Sequence, residues 1–187
     1  MVSLMQLWVP ILLSGLFVFL ASSVIHMVLK YHNSEYRKLP NEDEIRAAIR
    51  KAAPSPGQYI MPHCLDPKEQ AKPEVQQKYT EGPVGTVTIM QNGLPNMGPM
   101  LGQWFAFNLV VSLFVAYLAS RTLPIGTEYL KVFQVAGTVG FVSYALGAMP
   151  GSIWMGKPWS ATFKDMFDGL IYGLVTGGTF GWLWPRG

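Results

Sequence analysis

Four long apolar stretches alternate with polar segments along the 187-residue chain. None of these stretches contains Asp, Glu, Lys or Arg. They run from Leu7 to Leu29, from Trp104 to Ser120, from Val132 to Met149 and from Gly169 to Trp184. Helices of this kind cross a hydrocarbon layer about 30 Å thick. The pattern predicts an all-α integral membrane protein with four transmembrane helices.

The polar segment between the first two stretches predicts a small extramembrane α+β cap. A helix is expected from the capping residue Asn41 to the turn at Pro54, and Val84–Met90 has the composition of a strand that pairs with Gln58–Met61. The predicted organisation is transmembrane helix 1 in residues 1–29, the cap in 30–100, and helices 2–4 in 101–187, at about 104–120, 132–149 and 166–184.

Composition and charge support a membrane location. Half of the residues are hydrophobic and 13% are charged, against about 25% charged in ordinary soluble domains. The net charge of +3 does not indicate nucleic-acid binding, because the basic residues cluster beside the end of the first stretch, where lipid headgroups explain them.

The distribution of basic residues also predicts an orientation. Lys30, Arg37 and Lys38 follow the first stretch, whereas the residues before it carry no positive charge. The positive-inside rule therefore places the N- and C-termini in the periplasm and the cap in the cytoplasm of a bacterial inner membrane. The first stretch is predicted to be a retained helix, since it is longer than the hydrophobic part of a signal peptide.

Small residues recur at helical spacing in the last two stretches. They are Gly169, Gly173, Gly177 and Gly181 in the fourth stretch and Ala136, Gly140, Ser143 and Gly147 in the third. Small residues let helix backbones approach closely in lipid. We expect the two helices to pack together through these faces. Contact with a second copy or with a larger subunit is the alternative.

Two local patterns raise the question of a cofactor or a metal. His26 lies near the end of the first stretch with Ser22 one turn before it, which leaves room for axial ligation of haem or chlorophyll. His32 is expected to be an ordinary surface residue. Met61, His63 and Cys64 form a cluster of soft ligands for copper(I) or zinc, although no second pair of ligands completes it.

Acidic residues precede the fourth stretch. Asp165 and Asp168 suit the positive end of a helix dipole, and Thr162 with Asp165 has the spacing of a capping box. No acidic residue lies inside the four stretches, which argues against a coupled transporter. No catalytic signature is present, so the sequence favours a non-enzyme.

The chain also resembles a group of bacterial inner-membrane proteins described only as hypothetical transmembrane proteins. The resemblance is carried by Val18–Leu29, by Tyr36–Glu44, by Ser152–Trp154 with Lys157–Trp159, and by Phe167–Tyr172. It implies a bacterial membrane location and brings no assigned activity.

Three functional hypotheses follow from the sequence. The first is a non-catalytic accessory, assembly or scaffolding subunit of a larger membrane complex, such as a respiratory or photosynthetic one, with other membrane subunits as partners. The second is a small channel or carrier that assembles from copies of itself through the glycine face. The third is a membrane protein that binds a cofactor or metal through His26, or through Met61, His63 and Cys64.

Overall fold

A computed structural model describes residues 2–186, which form two compact units. Residues 2–35, 96–150 and 158–186 make up the helical unit, and residues 36–95 with 151–157 make up the small unit. The residues with functional interest lie in the helical unit.

The helical unit is built from long helices. A 3₁₀ turn at Leu4–Leu7 leads into α1, and a π-helical turn at Ile25–Leu29 ends that segment. The long helices are α1 (Trp8–Val24), α5 (Met97–Thr122), α6 (Tyr129–Ala145) and α8 (Trp159–Trp182), and the short helix α7 (Met149–Trp154) has most of its residues in the small unit. A 3₁₀ turn at Leu146–Ala148 joins α6 to α7. Each observed helical segment begins at least three residues before its predicted stretch.

Within residues 2–186, three segments are long and apolar enough to cross a membrane. They are Leu4–Leu29, Met97–Thr122 and Tyr129–Trp154. The predicted fourth span, now α8, is not one of them. Lys164, Asp165 and Asp168 lie in its first half, and its second half is rich in weakly apolar glycine. The structure therefore supports a helical membrane-type fold with three candidate spans.

Pairs of contacting residues fix the directions of the helices. Ser22 of α1 contacts Trp104 of α5, and two turns earlier in α1 Gly15 packs on Leu109, so α1 and α5 are antiparallel. Likewise Gly169 of α8 packs on Ala145 of α6, while Gly181 packs on Tyr129, so α6 and α8 are antiparallel. The core between the helices includes the fully buried side chains of Leu7, Val115, Val132 and Phe180.

The glycine row of α8 lies directly against α6. A Cβ added at Gly173 would lie 2.8 Å from the backbone nitrogen of Phe141, and one added at Gly177 would lie 2.8 Å from the carbonyl oxygen of Phe133. These distances are shorter than any ordinary carbon contact. Only glycine permits the two backbones to approach this closely, as expected for small-residue packing in lipid.

The surface of α6 that meets this row differs from the predicted one. Ala136 is buried and Gly140 lies against Thr176, but Ser143 is exposed and no atom comes within 4 Å of a Cβ built on Gly147. The other close approach is at Gly137, where an added Cβ would lie 3.3 Å from the carbonyl oxygen of Gly173. The difference arises because α6 ends at Ala145, which places Gly147 in a 3₁₀ turn.

The small unit has the predicted α+β content. Its helices are α2 (Glu42–Ala52), α3 (Pro67–Gln70) and α4 (Pro73–Glu81), and its strands are β1 (Gly57–Met61) and β2 (Gly85–Ile89). The predicted strand pairing is confirmed: β1 and β2 are antiparallel, with Tyr59 opposite Val87. Asn41 precedes α2 as predicted, but its side chain makes no capping bond because its backbone is left-handed. No residue between 36 and 95 is buried, in keeping with the small size of the unit.

Candidate metal centre

The candidate site begins where the first membrane segment ends. Lys30 adopts a left-handed conformation with φ of 52°, which stops the helix and reverses the chain. A 3₁₀ turn at Tyr31–Glu35 follows, and Ser34 Oγ donates to the Tyr31 carbonyl oxygen at 3.0 Å. The reversal brings the side chains of Tyr31 and His32 back to α8.

Asp168 of α8 lies at the centre of the site. Its side chain is 5% exposed and faces three residues from the end of the first segment. The Tyr31 hydroxyl donates a hydrogen bond to Oδ1, and His32 Nε2 lies 2.9 Å from Oδ2. His26 Nε2 lies 3.6 Å from the same Oδ2 atom. A buried carboxylate is costly unless it is paired, so these contacts account for its presence inside the unit.

His32 is held between two carboxylates. Its Nδ1 atom lies 2.6 Å from Glu35 Oε1, while Nε2 faces Asp168. The ring also packs against the rings of His26 and Tyr31, with centroid distances of 4.6 and 4.4 Å. Both the position and the rotation of the imidazole are therefore fixed by the protein.

A lysine closes the site on the side of α8. Lys164 Nζ donates to the Tyr31 carbonyl oxygen at 2.8 Å and to Ser34 Oγ at 2.7 Å, and it lies 3.8 Å from Glu35 Oε1. These bonds tie the 3₁₀ turn to α8.

In the described part of the chain, residues 2–186, two groups of side chains have the spacing of metal ligands. His26, His32 and Asp168 form one group, and His32, Glu35 and Asp165 form the other, with ligand atoms within 4.8 Å of one another in each. Nitrogen and oxygen ligands bind zinc at about 2.0–2.1 Å in a tetrahedron, which separates two ligand atoms by about 3.3 Å. The observed distances to Asp168 Oδ2, 2.9 and 3.6 Å, are close to that value.

The surroundings of the first group match those of known metal sites in kind. A metal-bound histidine usually donates its other ring N–H to a carboxylate, and a metal-bound carboxylate is usually hydrogen-bonded in turn. Here Glu35 is the carboxylate that contacts the other ring nitrogen of His32, and Tyr31 is the hydrogen-bond donor to Asp168. The His26 side chain is 51% exposed, so one side of the group remains open to solvent or to a ligand.

The surroundings of the site also change the pKa of the Tyr31 phenol. Partial burial and the hydrogen bond to Asp168 both disfavour the phenolate, and they raise the pKa of Tyr31 above its ordinary value. The nearby charges of Glu35 and Asp165 act in the same direction. Tyr31 therefore remains a hydrogen-bond donor to Asp168 at neutral pH.

These contacts bear on the haem or chlorophyll site that the sequence predicts at His26. Ser22 was expected to leave space for a macrocycle, but Trp104 Nε1 donates to Ser22 Oγ at 2.7 Å and its indole covers that position. His26 faces Asp168 and His32 instead. The geometry fits a metal ion better than haem or chlorophyll.

The other predicted cluster lies in the small unit. Met61 ends β1, while His63 and Cys64 line an open cavity with Asp66 and Glu69. Cys64 Sγ contacts the Asp66 carbonyl oxygen at 3.6 Å. Among residues 2–186, neither metal-like group of histidine, cysteine and acidic residues includes His63 or Cys64.

Several residues of the site were not singled out by sequence reasoning. His32 was expected at the surface, and Asp165 and Asp168 were assigned to the start of a helix with Thr162 as its cap. That capping box is wrong, because α8 begins at Trp159 and Thr162 is a buried residue within it. The available signal was His32 followed by Glu35, three residues apart and close to His26.

Comparisons with protein-family models, with curated proteins and with solved structures find no match to this chain. The resemblance to bacterial inner-membrane proteins therefore stays a prediction. The function has to be argued from the geometry of the site.

Proposed function

We propose that the chain is a multi-pass membrane protein that binds a divalent transition-metal ion through His26, His32 and Asp168. One observation carries this proposal: Asp168 Oδ2 faces two imidazole nitrogens, while the other nitrogen of His32 contacts Glu35 at 2.6 Å. That arrangement orients an imidazole towards a metal. Of the three functional hypotheses, the geometry favours metal binding, at a different ligand set from the predicted ones.

The donor atoms indicate the class of ion. Imidazole nitrogen suits zinc, copper, iron and nickel, whereas calcium and magnesium prefer sites made of oxygen. Two imidazoles and one carboxylate would supply three ligands to such an ion, and the half-exposed side chain of His26 would leave the group accessible to a fourth ligand. Zinc sites with three protein ligands keep the fourth position for water or a substrate. The site is therefore suited to exchange a ligand at the metal.

We further propose that α8 is the fourth membrane crossing, although its composition is less apolar than that of the three candidate spans. Its glycine row packs along α6, and its polar first turns hold the site residues. With the termini in the periplasm of a bacterial inner membrane, the metal site would lie at the cytoplasmic end of the first helix. The small unit would also be cytoplasmic.

The glycine row has a role inside the chain, which weakens the case for a channel built from several copies. Gly173 and Gly177 face the backbone of α6, so this surface is not free to contact a second chain. Membership of a larger complex is a separate proposal. Native mass spectrometry of gently extracted protein tests it through the masses of associated subunits.

Metal binding is tested by elemental analysis and zinc titration of protein purified in detergent. We expect about one ion per chain, and loss of that ion in His26→Ala, a variant chosen because the side chain is half exposed and its removal leaves the core intact. His63→Ala is the matched control, since His63 lies in the small unit, and it should retain full binding. Equal binding by both variants would contradict the proposed ligand set.

A further inference from the structure

Several buried polar side chains of the helical unit have no hydrogen-bond partner among the residues that the structure describes. Ser14 of α1, Asn108 and Ser112 of α5, and Thr176 of α8 are fully buried. Within residues 2–186, their side-chain oxygens and the Asn108 amide nitrogen have no hydrogen-bonding partner. Other serines and threonines of these helices do have partners. Thr179, for example, donates to the Val175 carbonyl oxygen one turn back.

Known contacts place these side chains at one level of the bundle. Trp104 of α5 packs on Tyr172 of α8 with a centroid distance of 6.1 Å. Trp184, just after α8, donates to the carbonyl oxygen of Pro124, just after α5, so the two helices run parallel to each other. Asn108 and Thr176 each lie one turn beyond that contact, an advance of about 6 Å. They therefore lie at the same height.

Two further side chains extend this group. Gly15 of α1 packs on Leu109 of α5, so the neighbouring residues Ser14 and Asn108 lie near the same height. Ser112 follows Asn108 on α5 at the spacing of one helical turn. The four residues come from three helices, and their side chains are buried at neighbouring levels of the helical unit.

Burying these polar groups without hydrogen bonds would cost free energy of folding. An amide or hydroxyl without a hydrogen bond loses several kcal/mol on transfer from water to an apolar environment. Asn108 needs an acceptor for its amide nitrogen and a donor for its oxygen. A bound cation would satisfy only the oxygen, whereas water satisfies both and is the usual partner of buried polar groups.

We propose that Ser14, Asn108, Ser112 and Thr176 form a binding site for a cluster of internal water molecules. The hydroxyl of Tyr172 also lacks a partner in the described residues. Tyr172 lies on α8 one turn from Thr176 and one turn from Asp168, and all three are buried. The polar row thus leads from the centre of the bundle towards the metal site. It does not depend on a bound metal.

The proposal is tested by whether Thr176→Val lowers or raises the melting temperature. Thr176→Val keeps the shape of the side chain and removes its hydroxyl. If water is bound, the variant leaves that water with one partner fewer, and the melting temperature in detergent falls. Thr179→Val is the matched control, because its buried hydroxyl is bonded to the Val175 carbonyl within the helix, and it should change the melting temperature less. An unchanged or higher melting temperature for Thr176→Val would overturn the proposal, because removing an unsatisfied hydroxyl from a dry core is neutral or stabilising.

A second measurement detects the water directly. X-ray radiolysis forms hydroxyl radicals from water in place, so a buried side chain beside bound water is oxidised. We expect oxidation of Tyr172 in the intact protein and at least a several-fold loss in Thr176→Val. The same oxidation is expected in His26→Ala, which separates this proposal from metal binding. Absence of oxidation at Tyr172 in the intact protein would overturn it.

Discussion

Asp168 connects the two parts of the site because it is buried in α8 and contacts residues that follow α1. Its Oδ1 atom accepts from Tyr31, and its Oδ2 atom faces His26 and His32. A lone buried carboxylate would be strongly unfavourable. Each contact therefore supports both the fold of the turn at Tyr31–Glu35 and the position of the proposed ligand.

Removing the hydroxyl of Tyr31 should weaken metal binding without removing a ligand. Tyr31→Phe takes away the hydrogen bond that orients Asp168, and changes of this kind lower metal affinity by about 10–100-fold. Zinc titration of the purified variant measures the effect. Tyr36→Phe is the control, because the Tyr36 side chain is 85% exposed. Equal affinity for the two variants would show that Tyr31 has no orienting role.

The raised pKa of Tyr31 predicts a dependence of stability on pH. The folded state holds the phenol proton more tightly than the unfolded state, whose tyrosines titrate near about 10. The stabilisation is therefore complete below that pH and is lost as the pH rises towards the folded-state pKa. Melting temperatures between pH 8 and 11 should fall more steeply for the intact protein than for Tyr31→Phe. Parallel curves would contradict this assignment.

At the scale of elements, the contact between α6 and α8 depends on the absence of side chains. Gly173→Ala would put a methyl group 2.8 Å from a backbone nitrogen and 2.9 Å from the Gly137 carbonyl oxygen, which cannot rotate away. Overpacking of this kind costs about 1–3 kcal/mol. We therefore expect a clear fall in the melting temperature, measured in detergent.

Gly178→Ala is the control for this prediction. Gly178 lies on the same helix, but the nearest atom to an added Cβ is the Tyr129 hydroxyl oxygen at 3.7 Å. The substitution should be neutral or stabilising, because alanine favours a helix by up to about 1 kcal/mol over glycine. If both variants had the same melting temperature, close packing at Gly173 would not be limiting.

Periodicity and composition predict elements better than they predict contacts. The apolar runs anticipate the long helices, and β-branched residues at Val84–Met90 anticipate β2. The charged residues Lys164 and Asp165 suggest a membrane interface, yet they are part of α8 because its helix starts earlier at Trp159. The face of α6 also differs, since the 3₁₀ turn at Leu146–Ala148 takes Gly147 out of the packing surface.

The site itself is harder to predict because its parts are distant along the chain. Tyr31 and Asp168 are separated by 137 residues, and no local pattern shows that they meet. Their contact depends on the left-handed residue Lys30, which a sequence does not identify as such. His26 could be proposed as a ligand from its position, but the partners that complete the site come from the packing of α8.

At the scale of the whole molecule, the first and last helical segments together form the candidate site within the helical unit. Membrane insertion with four crossings predicts that the turn before α6 and the turn after α1 lie on opposite sides. In a Cys64→Ser background, Glu128→Cys should react with an impermeant maleimide added outside intact cells, whereas Asn33→Cys should react only after lysis. Both positions are exposed, so labelling of both from outside would contradict the topology.

X-ray absorption at the zinc edge of the loaded protein tests the central claim most directly. Binding by His26, His32 and Asp168 predicts a first shell of nitrogen and oxygen at about 2.0–2.1 Å, with the outer scattering of two imidazole rings. A sulfur ligand at about 2.3 Å would place the metal at Cys64 instead. A shell of oxygen alone, without imidazole scattering, would mean that the histidines hold no metal. Either result would contradict the account.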